Sequence, residues 1–227
     1  MDLPTLVSWI GTIIGFILNI SPILMFWNII LGKESISIIP ESMLVFNILC
    51  PSLWACYWWL QVDKFVPFFS AIVGVGLSEI FALIFLFYLS EKNAKKYLIY
   101  AFLEIYLVLE FNYILLRVIG DYSIVGKIAV IVNIITYIAP GQKILEVIRQ
   151  RNYKLIPISS TLSGASCALS WLIFGILIRD INTIIPNTLG LIFATLNSSI
   201  WAYFYCNRDK NEDEEEGQEK MYTLVKL

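Results

Sequence analysis

Two stretches of this chain repeat one arrangement of prolines, apolar runs and a short basic patch. The first is SPILMFWNIILGKESISIIP, from Ser21 to Pro40, and the second is APGQKILEVIRQRNYKLIP, from Ala139 to Pro157. In each stretch one proline lies inside an apolar run and another enters the next run. An interior proline removes a backbone hydrogen bond and kinks a helix, so each stretch predicts two helices weakened near a polar connection. The alternative is that membrane helices simply tolerate these prolines.

The composition predicts that these helices lie in a membrane. Of the 227 residues, 58% are hydrophobic and only 15% are charged, whereas soluble domains average about half and about a quarter. The charges cluster in short islands between long apolar runs, which match the thickness of a bilayer core. An all-α transmembrane protein is therefore expected. Its seven predicted spans are residues 6–31, 38–60, 65–89, 97–119, 124–148, 155–178 and 181–205.

Basic residues near the predicted span ends indicate the orientation, because cytoplasmic connections carry an excess of Lys and Arg. The richer side has Lys33, Lys92, Lys95, Lys96, Lys143, Arg149, Arg151, Lys154, Arg208 and Lys210; the poorer side has Lys64, Arg117, Lys127 and Arg179. The N-terminus is therefore expected outside and the C-terminus in the cytosol. We expect the plasma membrane, with an internal membrane as the alternative. The polar, acidic segment 207–227 is expected to be a disordered cytosolic tail.

The two proline-containing stretches belong to a longer internal repeat. At a spacing of 117 residues the chain pairs Pro40 with Pro157, Cys50 with Cys167, Trp54 with Trp171, Asp63 with Asp180 and Ser70 with Asn187. Pro22 pairs with Pro140 after a one-residue change. The prediction is a 3+1+3 arrangement: a triple-helix repeat over 5–90, a linker helix over 91–121 and a second triple-helix repeat over 122–206. Parallel repeats of this kind are a transporter architecture.

The same residues argue against several other classes of protein. The chain has no histidine and no CxxC pair among its four cysteines, so neither a metal site nor a disulfide framework is indicated. No nucleophile and base pair, metal cluster or phosphate loop is apparent, and enzyme activity, cofactors and nucleic-acid partners are not expected. A retinal protein would need a lysine in the last span, and a G-protein-coupled receptor would not carry the repeat.

The repeated motifs resemble those of the SWEET (MtN3/saliva) family of sugar transporters, which is related to the SemiSWEETs and to the wider PQ-loop proteins. The residues that carry the resemblance are Ser21-Pro22, Pro40, Trp54, Ala139-Pro140, Pro157 and the stretch SWLIFGILIRDINTIIPNTLG from Ser170 to Gly190. The resemblance implies facilitated, bidirectional uniport of a mono- or disaccharide by alternating access. It also implies a homo-oligomer, a trimer or a dimer, in the lipid bilayer.

The resemblance further implies which residues act. Pro22, Pro40, Pro140 and Pro157 correspond to a gating tetrad of prolines. Trp171, Asn187 and Trp54 correspond to sugar-contacting positions, and the pairs Cys50 and Cys167, and Leu18 and Thr136, to further pocket positions. The family usually has an asparagine where this chain has Ser70, so a polar group is kept with a shorter reach.

The chemistry of these side chains fits a sugar. Trp54 and Trp171 offer flat apolar surfaces for the C–H faces of a sugar ring, and Asn187 offers a donor and acceptors for hydroxyls. Asn187 could instead hold helices together. The remaining tryptophans near span ends are expected in interfacial belts; they include Trp9, Trp58, Trp59 and Trp201. The GTIIG motif, Gly11 to Gly15, could support close helix packing, but it is expected instead to accommodate neighbours within the first unit.

Two rival functions remain. A PQ-loop transporter of amino acids coupled to protons would carry Pro-Gln pairs and acids, but here Ile23 and Gly141 follow the prolines. A PQ-loop-related sorting receptor would need charges in its cavity. The absence of histidine and of acids from the predicted pocket favours uniport.

Overall fold

The computed structural model of the chain is all-helical over the residues that it describes. These are 1–20, 22–33, 35–36, 39, 41–61, 63–90, 93–136, 138–156 and 158–207, with their side chains except at 24–25, 41–43, 138–143 and 154. Pro40, Pro157 and almost all of the predicted tail, 207–227, lie outside the described residues. The predictions made for those positions are therefore not addressed by the structure.

The helices follow the apolar segments of the sequence in order. They are α1 (Leu3–Ile20), α2 (Ile23–Ile30), α3 (Glu41–Leu60), α4 (Phe65–Leu89), α5 (Ala94–Tyr113), α6 (Tyr122–Thr136), α7 (Ile138–Gln150), α8 (Ile158–Ile178) and α9 (Ile181–Cys206). A π-helical segment, Ile114–Ile119, continues α5, and a 3₁₀ turn, Tyr153–Leu155, precedes α8.

Five of the described helical segments are long and apolar enough to cross a membrane: Leu3–Ile20, Phe65–Leu89, Ala94–Ile119, Ile158–Ile178 and Ile181–Cys206. The apolar helices Leu44–Leu60 and Tyr122–Thr136 are shorter. The predicted all-α transmembrane class is confirmed. The first predicted span, however, is divided into two helices, and the sixth begins at 158 instead of 155. The fifth is covered by α6 and α7, on either side of residue 137, which lies outside the described residues.

The division of the first span lies at a proline. Helix α1 ends at Ile20 and α2 starts at Ile23, with Pro22 between them. In the fifth span Pro140 falls within α7, and it has no N–H to donate to the carbonyl of Thr136, the last residue of α6. The weak point predicted at Pro22 is therefore present as a break. The weak point predicted at Pro140, and hinge motion at either proline, stay predictions.

The contacts between helices have an internal symmetry. Helix α4 packs against both α1 and α3, and α9 packs against both α6 and α8. Helix α1 also packs on α8, and α3 packs on α6. If α1, α3 and α4 are exchanged for α6, α8 and α9, each of these contacts becomes another contact of the same set. The inner faces of the six helices consequently meet around one central space.

The end of helix α5 is attached to α3. Cys56 Sγ donates a 3.1 Å hydrogen bond to Asn112 Oδ1. Leu115 of the π-helical segment is buried in a core with Leu53 of α3 and Val125 of α6. This core packs α3 against the π-helical segment and α6, and it includes Tyr57 and Trp58 of α3.

Candidate functional site

A cavity of about 520 Å³ lies between the helices of the two halves. All eight residues predicted to bind substrate line it: Leu18, Cys50, Trp54, Ser70, Thr136, Cys167, Trp171 and Asn187. Pro22 lines it as well. The structure thus brings the predicted residues into one space, drawn from α1, α3, α4, α6, α8 and α9. That they bind substrate stays a prediction.

Aromatic packing fixes the tryptophan of the first half. The ring of Trp54 lies edge-on to Tyr57, with centroids 5.5 Å apart and an interplanar angle of 83°. The Trp54 ring also stacks on Trp58, with centroids 6.1 Å apart. Trp58 is 4% exposed and itself lines the cavity. The expectation that Trp58 belongs to an interfacial belt is therefore wrong, because packing against Trp54, Tyr57 and Phe174 buries its ring.

The tryptophan of the second half is fixed by α1. Trp171 lies edge-on to Phe174, with centroids 5.6 Å apart. A Cβ placed on Gly11 would lie 3.1 Å from Trp171 Cε2, and one on Gly15 would lie 3.6 Å from Cys167 Sγ. The glycines of GTIIG thus let α1 approach α8. The expectation that they serve packing within the first unit is wrong, since α8 belongs to the other half of the repeat.

The polar groups of the predicted site differ in what they can offer a ligand. Asn187 Nδ2 donates a 2.7 Å hydrogen bond to the Thr183 carbonyl, one turn earlier in α9. The amide nitrogen is thereby partly engaged, whereas Oδ1, which has no partner among the described residues, can accept from a hydroxyl. Ser70 on α4 lines the cavity with a single hydroxyl. The two halves therefore present unequal polar groups at repeat-related positions.

The sequence analysis missed several polar residues that line the cavity. They are Asn19, Asn47, Ser78, Asn133 and Thr183. A signal for the asparagines was present, because an amide inside an apolar span is costly unless it faces a partner or a cavity. None of these residues is matched by an identical residue at the repeat spacing, and the search for repeated positions therefore passed over them.

The cavity lining, over the residues described, carries no Asp, Glu, Lys or Arg. Its ionisable side chains are the thiols of Cys50 and Cys167, each of which lies against the tryptophan one turn further along its own helix. Such a chamber suits a neutral ligand, since no fixed charge would have to be desolvated or balanced when the ligand enters.

A hydrogen-bond network closes the two halves together at one end of the cavity. Tyr57 donates from its hydroxyl to Asp180 Oδ1 at 2.8 Å, and Thr183 donates to Asp180 Oδ2 at 2.6 Å. Asn182 Nδ2 donates to the Tyr57 hydroxyl at 3.3 Å. Asp180 also caps α9 by accepting from the Asn182 backbone N–H. One carboxylate therefore starts a helix of the second half and binds a tyrosine of the first.

The repeat had marked Asp180 as the partner of Asp63, without assigning it a role. In the structure Asp63 is exposed in a left-handed conformation, φ 72°. Tyr57, which the sequence analysis did not single out, corresponds by the repeat to Phe174 and is 1% exposed. The one sequence signal for the Tyr57–Asp180 pair was this imperfect match of the repeat, in which a tyrosine in the first half corresponds to a phenylalanine in the second.

The fold and the uncharged central cavity define a multi-pass membrane protein of the transporter class. The chain belongs to the MtN3/saliva family: the family model described as "Sugar efflux transporter for intercellular exchange" matches residues 5–93 and 123–210. This confirms the resemblance inferred from the motifs. Since the family is one of transporters, it also confirms that an enzyme is not the right class.

Individual relatives agree with the family. The bidirectional sugar transporter SWEET11 of Arabidopsis thaliana is 26% identical over 225 residues, which cover 96% of this chain and 77% of that protein. SWEET16 of the same plant is 25% identical and is covered to 95%, as is this chain. A solved structure of a eukaryotic SWEET transporter is 21% identical, with a TM-score of 0.78 over 89% of this chain and 97% of that one. The structural similarity confirms the fold.

Proposed function

We propose that this protein is a bidirectional, facilitative sugar transporter that works by alternating access. The observation that carries the proposal is the uncharged cavity in which Trp54, Trp171 and Asn187 come together. The names of the relatives and the description of the family support it. A substrate here moves only down its own concentration gradient, because the described lining offers no group for proton coupling.

The moving parts in this proposal are two triple-helix units, residues 5–90 and 122–206, joined by the linker helix within 91–121. Two findings support the 3+1+3 division. The family model matches two segments that begin 118 residues apart, and the helix contacts map onto one another when the two units are exchanged. The cavity then lies between the units, where rocking of one against the other exposes it to either side.

The tryptophans act as platforms for the sugar. The C–H faces of a pyranose ring are apolar, and they pack on the indoles of Trp54 and Trp171, which neighbouring aromatic rings hold in place. Asn187 Oδ1 accepts a hydrogen bond from a sugar hydroxyl, and Ser70 contacts the ring from the opposite unit. The side chains one and two turns away bound the space along the cavity axis: Leu18, Cys50, Thr136 and Cys167.

The two ends of the cavity have different closures in this mechanism. The Tyr57–Asp180 hydrogen bond seals the end formed by the α3–α4 and α8–α9 connections. The other end is the one toward which Pro22 and Pro140 lie, and the helix break at Pro22 allows bending there. The resemblance adds Pro40 and Pro157, which lie outside the described residues, to the same gate. Breaking the Tyr57–Asp180 bond while the proline end closes converts one open state into the other.

The orientation and the assembly belong to the same proposal. The excess of Lys and Arg on the proline side places that side, with the C-terminus, in the cytosol, and the N-terminus outside. The Tyr57–Asp180 seal is then extracellular if the protein works in the plasma membrane. A homotrimer or homodimer is proposed because the resemblance implies one.

The test is uptake of labelled glucose and sucrose into liposomes that contain the purified protein. Saturable flux in both directions, insensitive to a protonophore, is expected. A lack of saturable flux for every mono- and disaccharide tried would refute sugar transport. Proton-dependent flux of an amino acid would favour the rival transporter class.

A further inference from the structure

Two asparagines give the first unit a polar patch that the predicted site does not use. Asn19, near the end of α1, and Asn47, in the first half of α3, both line the cavity and are both exposed. Among the residues that the structure describes, neither side-chain amide has a hydrogen-bond partner. Each amide can donate two hydrogen bonds and accept two.

The patch lies apart from the tryptophan platform. Asn47 precedes Trp54 by seven residues of α3, which is two turns or roughly 10 Å along the helix axis. Asn19 lies beside Leu18, close to the break at Pro22. The end of α1 and the start of α3 lie at the same end of the bundle, since only α2 and a short connection separate them. Both amides are therefore displaced from Trp54 in the same direction.

Close packing brings the two asparagines into one neighbourhood. A Cβ placed on Gly74 of α4 would lie 3.2 Å from Pro51 Cβ and 3.7 Å from Asn19 Nδ2. Pro51 is one turn after Asn47 on α3. Helix α4 can thus approach both α1 and α3 because residue 74 has no side chain, and Asn19 and Asn47 line the cavity beside this contact.

Pro51 adds a further acceptor to the patch. It lies inside α3 and also lines the cavity. Proline has no N–H, so the carbonyl of Asn47, four residues earlier, loses its helical donor. Unpaired polar groups in a membrane interior are costly unless water or a ligand satisfies them. Asn47 lines the cavity, so water or a ligand in the cavity can satisfy its amide and its carbonyl.

The second unit does not reproduce this arrangement. At the repeat spacing of 117 residues, Gly164 stands where Asn47 would be, and Ala168 where Pro51 would be. Helix packing therefore does not require the asparagine and proline at these positions of the repeat. The extra polar groups belong to the unit in which Ser70 is the shorter partner of Asn187.

We propose that Asn19 and Asn47, with the Asn47 carbonyl, form a second hydroxyl-binding subsite that holds the second ring of a disaccharide. The first ring packs between Trp54 and Trp171, and the second extends along α3 toward the proline end. This inference rests on the proposed sugar transport and names the substrate class. A cavity of about 520 Å³ falls within the range of pockets that enclose ligands of this size.

The test compares disaccharides with glucose in liposomes carrying Asn19→Leu, Asn47→Leu or both. Leucine keeps the approximate size and removes the hydrogen bonds, and both positions are exposed, so folding should be retained. The control is Asn197→Leu, since Asn197 lies on α9 outside the described cavity lining and binds the Phe193 carbonyl. The disaccharides are sucrose, maltose and trehalose.

The double variant is expected to raise the KM of the transported disaccharide about tenfold, because two hydrogen bonds are lost. The KM of glucose should stay within about twofold, and the control should behave as the wild type. Pro51→Ala restores the donor for the Asn47 carbonyl and should weaken disaccharide transport alone. Equal changes for both sugar classes, no change for either, or a wild type that carries glucose but no disaccharide would overturn the subsite. A wild type that carries no sugar would instead refute the proposed function.

Discussion

The hydroxyl of Tyr57 in α3 lies 2.8 Å from Oδ1 of Asp180, the residue that caps α9. This bond joins residues 123 positions apart and links the two halves of the repeat at one end of the cavity. It can form because α8 ends at Ile178 and α9 starts at Ile181, so the turn presents the carboxylate toward α3. In the proposed mechanism this bond breaks when the cavity opens at this end.

Replacement of Tyr57 by phenylalanine should favour opening at this end. The ring and its packing against Trp54 stay, but the charged carboxylate of Asp180 loses the hydrogen bond that Tyr57 donates. A hydrogen bond to a charged group is worth about 1.5–3 kcal/mol. The accessibility of the cavity thiols Cys50 and Cys167 to a membrane-impermeant thiol reagent added on the Asp180 side should rise more than tenfold. Tyr106→Phe, at an exposed position of α5, should leave the labelling rate unchanged. Equal labelling in both variants would show that the bond does not seal the cavity.

Alanine at Gly126 should disturb the same network from the side of α6. Its Cβ would lie 2.6 Å from Tyr57 Cε2 and 2.6 Å from Asn182 Nδ2, closer than real contacts allow. Because the Tyr57 ring is buried, we expect overpacking to destabilise the protein by about 1–3 kcal/mol. Thermal unfolding in detergent measures this. Gly164→Ala is the control, since nothing lies within 4 Å of its Cβ; if both variants melt together, the contact has no energetic weight.

Removal of the indole at Trp171 should raise the KM for glucose by about tenfold or more, which corresponds to at least ~1.4 kcal/mol of lost binding. The reason is that the ring forms one wall of the cavity and is held rigidly by Gly11 and Phe174. Trp201→Ala, which removes a ring near the end of α9, should leave KM unaltered. Transport kinetics in liposomes decide between them, and an unchanged KM in Trp171→Ala would exclude it from the site.

A substitution at Ser70 should lower KM, in contrast to the loss of Trp171. Ser70→Asn lengthens the polar side chain on the cavity wall and gives the first unit the group that Asn187 gives the second. We expect a lower KM for the preferred sugar or a changed preference among sugars. The reciprocal variant, Asn187→Ser, should raise KM severalfold through loss of the Oδ1 acceptor. A panel of labelled sugars measures both, and identical profiles for all three proteins would contradict a role for either position.

The interface of α4 and α5 contains two neighbouring carboxyl groups, those of Glu79 and Glu104, with buried oxygens that lack hydrogen-bond partners among the described residues. Oε2 of Glu79 and both carboxyl oxygens of Glu104 are buried without a hydrogen-bond partner in the described part of the chain, and the two groups interact with each other. Two carboxyl groups so placed cannot both ionise without cost, and their buried oxygens lack donors. Glu104→Gln should therefore raise the melting temperature and leave sugar transport intact, since neither residue is among the described lining of the cavity. Glu110→Gln, on an exposed face of α5, should change neither quantity. A lower melting temperature, or lost transport, in Glu104→Gln would contradict this view.

The internal repeat predicted which residues line the cavity more accurately than the position of a single residue along its helix did. Cys50, Trp54 and Ser70 were found by pairing with Cys167, Trp171 and Asn187, and all six line one cavity. Trp58 was assigned to a membrane interface from its place near a span end, and the structure buries it. Local position along a helix does not say which face of it meets another helix.

By itself, the sequence determined the class of fold, the apolar spans and the interruption at Pro22, and it predicted the two-fold repetition. These follow from properties of consecutive residues: apolar runs must cross the bilayer as helices, and a proline cannot donate the bond that continues one. Only the tertiary structure decided that α1 packs on α8 through Gly11, that Tyr57 reaches Asp180, and that Asn19 and Asn47 face the cavity. Each of these depends on the rotation and closeness of helices distant in the chain, which side-chain packing between them sets and no local pattern encodes.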